Sequence, residues 1–312
     1  MVGKNPCISV VIPVYNSEKI LPNLCKELVQ VFTNMGDDYE IIFVDDCSKD
    51  NSLMIIAELC GVNDNLKGIS LRKNVGFHNA IMAGINFVCG DIIILMDDDL
   101  QHDPADIPSL VSGLNKGNDV CFANFSSKKQ SLLKNFGSWL NDKLSNVLLD
   151  KPKNLYLSSY KAIKREIIDE VKKYNGPYPN IDGLILRVTQ NLTQENIRHR
   201  QRFSGKGNYN FIRSFKEWLK MVTSFSVFPL RIATFIGFIS SSMGFILGIL
   251  FLLEYFIGEK APPGWFTLVM TILFFGGIQL LTLGIIGEYL GRTYLNINNQ
   301  PQFIIKDKIN LK

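Results

Sequence analysis

Two apolar segments near the C-terminal end constrain the fold of this chain more than any other feature. Ile232–Ile257 is apolar except for Glu254 near its end, and Trp265–Gly287 carries no charge. Each exceeds the ~20 residues that a helix needs to cross a bilayer. The link between them, GEKAPPG, is too short to hold a domain. The pair therefore reads as a transmembrane helical hairpin, about 232–257 and 265–288, within a membrane region 231–291. Arg231 flanks one end and Arg292, Lys306, Lys308 and Lys312 the other, while Lys260 is the one lysine in the link. The excess of basic residues outside the hairpin puts both termini in the cytosol, with 292–312 as a cytosolic tail. Two core helices of a soluble domain form the competing reading. A hydrophobic content of 46% and a mean hydropathy of +0.11 favour the membrane. Gly244 and Gly248 have the GxxxG spacing that allows close helix packing.

The first part of the chain obeys a different rule. Apolar runs CISVVIPVY, YEIIFVDD, LKGISL, DIIILMDDD and NDVCFAN alternate with helix-period segments at Glu18–Phe32, Ser52–Cys60, Phe77–Val88 and Pro104–Asn115. Strands alternating with helices imply βαβ units and a parallel sheet covered on both faces. Ligands of such sheets bind beyond the carboxyl ends of the strands. PVYN, DDCSKD, RKN and DDDLQHD all fall there, so four loops form one mouth. No GxGxxG follows the first strand and no GxxxxGK[ST] occurs, which argues against a dinucleotide fold or a P-loop. From Lys128 to Lys220 the pattern is looser. It holds a helix over roughly Gln130–Leu148, NLYLSSYKAI, another helix, IDGLILRV and the basic strand-like piece NIRHRQRFSGKGNY. Trp218, Leu219, Val222 and Phe225 oppose Arg213, Lys216 and Lys220, as in an amphipathic helix lying on a membrane surface or packing on a domain.

A net charge of +4 with no long basic run excludes nucleic acid as an expected partner. The six cysteines form no CxxC pair and no Cys/His cluster, so they read as free thiols in a reducing cytosol. No secretory signal pattern opens the sequence.

In GDIIILMDDDLQHDP, three consecutive carboxylates follow an apolar run. Adjacent like charges repel, and each needs water, a cation or a donor. Asp97 and Asp99 alternate along an extended chain and so point the same way, with Gln101 next on that side. Two carboxylates and an amide oxygen suit a hard divalent cation, Mg²⁺ or Mn²⁺, which usually keeps substrate phosphates among its ligands. Asp103, before Pro104, reads as a helix cap. Asp45 and Asp46 also follow an apolar strand, and either could accept from an N–H of a nucleotide base or cap the helix near Ser48–Ser52.

Taken together, SVVIPVYN, IIFVDDCSKDNS, LRKNVGFHNAIMAGINFVCGDIIILMDDDLQHDP, FSVFPLR and GEYLGRTY resemble a known family over nearly the whole chain. It is family 2 of the glycosyltransferases, with the GT-A fold, in the polyprenyl-phosphate branch related to dolichol-phosphate mannose synthase. The resemblance implies a Rossmann-like, mostly parallel sheet over residues 1–210, a juxtamembrane helix at 211–230 and the transmembrane hairpin. It also implies inverting transfer of a sugar from a nucleotide-sugar donor to a membrane polyprenyl phosphate, for surface glycan synthesis or modification, on the cytosolic side of the inner membrane. By position, Pro13, Tyr15, Asn16, Asp45, Asp46 and Asn74 would line the nucleotide-sugar pocket, with Asp97 and Asp98 beside them. Asp97, Asp99 and Gln101 would hold the metal. Lys134 and Ser138, one helical turn apart, match the acceptor-phosphate site, and Arg202 and Lys206 resemble the basic lid that also meets phosphates.

Departures from the pattern mark a distinct subgroup. Cys47 replaces a turn glycine, DDD replaces DAD, Ser17 stands where glutamate is frequent with Glu18 one position late, and Asn124 replaces an arginine. Ser159 stands where a catalytic carboxylate is common. A phosphate acceptor can supply its own nucleophile, so Ser159 need not be replaced by another base. Two rivals are a transferase that extends an existing glycolipid and an inactive membrane protein that binds nucleotide-sugar. A processive synthase would carry QxxRW, which is absent. The sequence leaves the sugar, the base, the polyprenol and the oligomeric state open, a homo-oligomer among the options.

Overall fold

The computed structural model describes residues 8–125, 155–197, 228–257, 264–298 and 301–311. The chain divides into two compact units, Met1–Asn210 together with Asn299–Lys312, and Phe211–Asn298.

The first unit is built on β1 (Ile8–Val14), β2 (Tyr39–Asp45), β3 (Leu66–Leu71), β4 (Ile92–Leu95), β5 (Val120–Phe125), β6 (Lys161–Lys164), β7 (Leu192–Ile197) and β8 (Ile305–Ile309). They form one sheet in the order β7-β5-β6-β4-β1-β2-β3-β8. The central strands β4, β1, β2 and β3 are parallel. β6 runs antiparallel between β4 and β5, and β7 returns parallel to β5. β1 is buried along its whole length, as the near-continuous apolar run ISVVIPV requires when both faces are covered. The five strands read in the first 125 residues are all present, their ends differing by a few residues from the apolar runs.

Even-numbered side chains of β1 (Ile8, Val10, Ile12, Val14) join a core with α1 (Leu21–Met35), α2 (Ser52–Val62) and α4 (Ile107–Asn115). The opposite face packs on α3 (Phe77–Ile85). A Cβ on Gly84 would lie 2.4 Å from Val11 Cγ1 and 3.0 Å from Val44 Cγ2, so glycine lets α3 sit directly on β1 and β2. Two further helices, α5 (Arg165–Val171) and α6 (Ile181–Val188), pack on each other. IDGLILRV thus forms a helix, with Asn180 Oδ1 accepting from the Gly183 amide at its start.

The segment 292–312, read from sequence as a tail, begins inside a helix and ends in the sheet. β8 pairs antiparallel with β3 and forms the edge of the sheet, and Arg72 N–H donates to Ile304 O at 2.9 Å. Asn310 Nδ2 donates to Cys60 O and Leu66 O at 2.7 and 3.0 Å, fixing the far end of the strand.

In the second unit, α7 (Phe228–Ile257) and α8 (Trp265–Ile297) contain both apolar segments. α8 runs nine residues past the expected end at 288. Large apolar side chains face outward, Phe245 and Leu280 each 72% exposed. Among the described residues, Phe274–Ile297 is the stretch long and apolar enough to cross a membrane, and Leu230–Ile246 is a shorter apolar helix.

Candidate active site

The mouth lies at the carboxyl ends of β1, β2, β3 and β4, where side chains bond to the backbone of neighbouring loops. After β1, Asn16 takes φ +56°. Its amide donates to Ser48 Oγ at 3.0 Å and its Oδ1 accepts from Lys49 N–H at 2.8 Å, joining the first loop to the second. Ser17 N–H donates to Ser52 Oγ at 2.8 Å, and Glu18 Oε2 accepts from both the amide and the side chain of Asn51 at 3.0 Å. The shifted SE pair in the sequence thus holds the start of α2. Pro13 is buried within β1 beside Val44.

The two carboxylates after β2 do different things. Asp46 Oδ1 accepts from Val75 N–H at 2.7 Å and Oδ2 from Gly76 N–H at 2.9 Å, while its carbonyl accepts from Asn74 Nδ2 at 3.2 Å. Asp46 and Asn74 therefore tie β2 to the start of α3, where Gly76 turns at φ +86°. Asp45 Oδ1 accepts from Ser48 N–H at 3.2 Å. Burial raises the pKa of both carboxyl groups, and for Asp45 the Lys306 charge works in the opposite direction. Lys306 owes its place to a register shift. Leu71 pairs with Ile305 and Ser70 with Asp307, leaving Lys306 as the extra residue of a bulge. Cys47 follows at φ +58°, the left-handed geometry of the turn glycine it replaces, with Sγ 3.9 Å from Arg72 O.

β4 ends at Leu95 and the chain bends over Asp98–Leu100, with buried Leu100 at φ +58°. The extended alternation assumed for Asp97, Asp99 and Gln101 thus stops before Gln101. A local bond links that group instead, Gln101 N–H donating to Asp99 Oδ1 at 3.1 Å. Asp98 turns toward the β1 loop, its Oδ2 accepting from Ser17 Oγ at 2.5 Å and Tyr15 N–H at 3.3 Å. Burial pushes its pKa up to about 6 despite these donors. Asp103 Oδ1 accepts from Ala105 N–H at 3.0 Å, capping the 3-10 turn Pro104–Asp106 as its place before proline suggested.

Ser159 and His102 meet Asp97. Ser159 Oγ donates to Asp97 Oδ2 at 2.9 Å, and Asp97 N–H donates to His102 Nδ1 at 3.0 Å. Nothing in the local sequence pattern indicated His102. A lone histidine after DDDLQ was the available signal. Also unread was the buried Lys161, 2% exposed, which donates to Asp182 and lies 5.1 Å above the Phe122 ring. Asn124, at the usual arginine position, donates to Asn196 Oδ1 at 2.8 Å across the β5–β7 pair.

The structure thus brings Pro13, Tyr15, Asn16, Asp45, Asp46, Asn74, Asp97, Asp98, Asp99 and Gln101 to one end of the sheet. Lys134, Ser138, Arg202, Lys206, the helix at 130–148 and residues 211–227 lie outside the described residues. Among the described residues, no three His, Cys, Asp and Glu side chains gather as a metal-holding group. Asp97 and Asp99 with Gln101 offer oxygen donors only. That chemistry fits a hard cation completed by substrate phosphates.

Comparison with known proteins extends over nearly the whole chain. Residues 9–172 match the model of Glycosyl transferase family 2. The undecaprenyl-phosphate 4-deoxy-4-formamido-L-arabinose transferase of Proteus mirabilis is 31% identical, covering 98% of this chain and 94% of its own length. The protein of the same name from Shewanella sediminis is 33% identical, over 96% of this chain and 92% of its own. Among solved structures, glucosyl-3-phosphoglycerate synthase of Mycobacterium tuberculosis, determined with Mn²⁺, uridine diphosphate and phosphoglyceric acid, aligns at a TM-score of 0.52. That match has 17% identity and covers 70% of this chain and 76% of that one, which shows a shared GT-A fold. The matched family model, the end-to-end relatives and the mouth at the head of the parallel strands lead to one assignment: the chain belongs to glycosyl transferase family 2.

Proposed function

We propose that this protein transfers a sugar from a nucleotide-sugar to a polyprenyl phosphate in the membrane, inverting the anomeric centre, for synthesis or modification of surface glycan. One observation carries the reading. Relatives named as undecaprenyl-phosphate sugar transferases align with 96–98% of the chain, apolar segments included. The donor's base would meet Asp45, because both oxygens of Asp46 already accept from amides. Tyr15 and Asn16 would border that pocket, with Asp98 bracing the loop that carries Tyr15.

Asp97, Asp99 and Gln101 would hold Mg²⁺ or Mn²⁺. Such an ion, when bound, would offset the charge that develops on the departing nucleoside diphosphate. The nucleophile is an oxygen of the acceptor phosphate, whose second pKa lies near ~6, so it is largely dianionic at neutral pH. No protein side chain then needs to remove a proton, in keeping with Ser159 at the carboxylate position. Lys134, Ser138, Arg202 and Lys206 would orient the acceptor phosphate through charge-assisted hydrogen bonds.

The pairing of β8 with β3 supports a membrane hairpin. Both flanks of Phe211–Asn298 belong to one folded unit, so a membrane-spanning insert must cross an even number of times. With the basic residues outside the hairpin, the catalytic unit and both termini would lie in the cytosol. The proposed boundaries are 1–210 with the returning strand, a juxtamembrane helix at 211–230 and two spanning helices.

The test incubates membranes containing the protein with a panel of radiolabelled nucleotide-sugars, a 4-deoxy-4-formamido-L-arabinose donor among them, and counts label in the organic phase. Label should appear only when polyprenyl phosphate is present. An alcohol-terminated acceptor that works equally well would overturn the reading and favour extension of a glycolipid.

A further inference from the structure

The loop that follows β4 is held by two residues that the proposed chemistry does not use, His102 from the loop itself and Ser159 from the approach to β6. His102 is 5% exposed, and its ring is stacked between Tyr160, with centroids 4.8 Å apart, and Phe125, at 5.8 Å. The interplanar angles are 14° and 11°, so the imidazole has a fixed plane. Within that plane Nδ1 accepts from Asp97 N–H at 3.0 Å. An accepting nitrogen carries no proton, so in the neutral ring the proton sits on Nε2. Nε2 faces Ser159 Oγ at 3.5 Å and Asp97 Oδ2 at 3.7 Å. Ser159 Oγ in turn donates to Asp97 Oδ2 at 2.9 Å. Tyr160, next in the chain, closes the arrangement by donating its hydroxyl to Asp103 O at 2.8 Å. The backbone and the carboxylate of Asp97 are thus held separately, one by a ring from its own loop and the other by a hydroxyl from the approach to β6.

We propose that His102 and Ser159 are positioning residues that hold the Asp97 carboxylate ready for the divalent cation. The inference rests on the reading of Asp97 as a metal-binding residue. A carboxylate at the head of a strand has two free torsions, and each rotation it can make lowers the fraction of molecules ready to bind. Hydrogen-bond partners behind metal ligands restrict those rotations, and losing one typically costs ~10- to 100-fold in metal affinity or activity. Ser159 therefore acquires a role other than that of the carboxylate usual at its position: its hydroxyl orients Asp97 and touches no substrate.

The experiment uses the full-length protein in detergent and measures Mn²⁺ affinity from the electron paramagnetic resonance signal of free Mn²⁺, with uridine diphosphate present. Ser159→Ala removes the donor, while His102→Phe keeps a stacked ring and removes the acceptor. Both should weaken Mn²⁺ binding by roughly 10-fold. In the transfer assay the loss should fall on the half-saturating Mn²⁺ concentration more than on kcat. Ser159→Thr, which keeps the hydroxyl, should restore affinity. A purely structural role would lower the thermal midpoint and leave Mn²⁺ affinity unchanged, and that result in Ser159→Ala overturns the proposal even if His102→Phe does not fold. Asp97→Asn separates the two levels of the argument. If it binds Mn²⁺ as the parent does, the metal reading itself fails and the positioning role with it. If it binds poorly while Ser159→Ala binds normally, only the positioning role fails.

Discussion

The two ends of the same parallel strands treat buried carboxylates in opposite ways. At the amino end, Glu40 accepts from Ser9 Oγ and the Cys89 amide, both at 2.5 Å, and from the Lys67 ammonium. Burial alone would raise its pKa, yet these donors together hold it below the usual value. At the carboxyl end, Asp45, Asp46 and Asp98 also have donors, but there burial wins and all three pKa values rise. Three of the four non-glycine residues with positive φ among the described residues, Asn16, Cys47 and Leu100, sit at this same end. Uncompensated negative charge and strained backbone tend to collect where a ligand completes the electrostatics. One end of the sheet is finished by the protein alone, and the other is shaped to receive positive charge.

Breaking the mouth should affect turnover most. Asp97→Asn and Asp99→Asn should each lower transfer by roughly 10²- to 10³-fold, the scale of losing several kcal/mol of charge stabilisation. Their thermal midpoints should be equal to or above the parent's, because a repelling charge has been removed. Radiolabel transfer and differential scanning fluorimetry on the same preparations check both halves of that statement.

At the other end the balance reverses. Glu40→Ala leaves Lys67 without its buried partner and should destabilise the sheet unit by about 3–5 kcal/mol, while turnover per folded molecule stays near that of the parent. Loss of turnover with an unchanged midpoint would erase the distinction between the two ends.

Acid should sharpen it. Glu40 has a lowered pKa when folded, so its stabilisation is present above the ordinary value of 4.5 and is lost as pH falls through the depressed one. Asp98 has a raised pKa, so the folded state binds its proton more tightly, and stability declines as pH rises from 3.8 to about 6. The thermal midpoint should therefore fall between those two pH values on the way up, and Asp98→Asn should flatten that limb while leaving the acidic one in place.

The smallest effect belongs to strain. Cys47→Gly should remove the cost of a left-handed cysteine and raise stability by about 1 kcal/mol, with donor affinity close to the parent's. A loss of stability would mean that the Sγ contact near Arg72 O outweighs the backbone cost.

Some of this was legible because burial on both faces leaves a local trace. ISVVIPV and IIIL read as strands without knowledge of their neighbours, and the carboxylates that follow YEIIFVD and IIIL mark the mouth by their abruptness. Asp103 before Pro104 likewise announced a cap, since donor and acceptor lie two residues apart. Illegible were the roles that depend on partners far away in the chain. Ser159 finds Asp97 across 62 positions, and Asp46 finds the amides of Val75 and Gly76 across 29 and 30. Consecutive aspartates look alike in sequence, yet Asp46 and Asp98 brace loops while Asp97 and Asp99 remain the candidates for the cation.

The alternation of strands and helices, the polar rim of the sheet and the two apolar segments could be read from the residues alone, because hydrophobic periodicity and length are local properties of the chain. The return of residues 305–309 to the edge of the sheet, the bulge at Lys306 and the choice of which carboxylates are held by the protein's own donors depend on tertiary contacts. Strand pairing uses backbone groups that every residue carries, so IKDKI contains no local sign of its partner LKGISL; the register comes from packing, where Ile309 lies against Gly68.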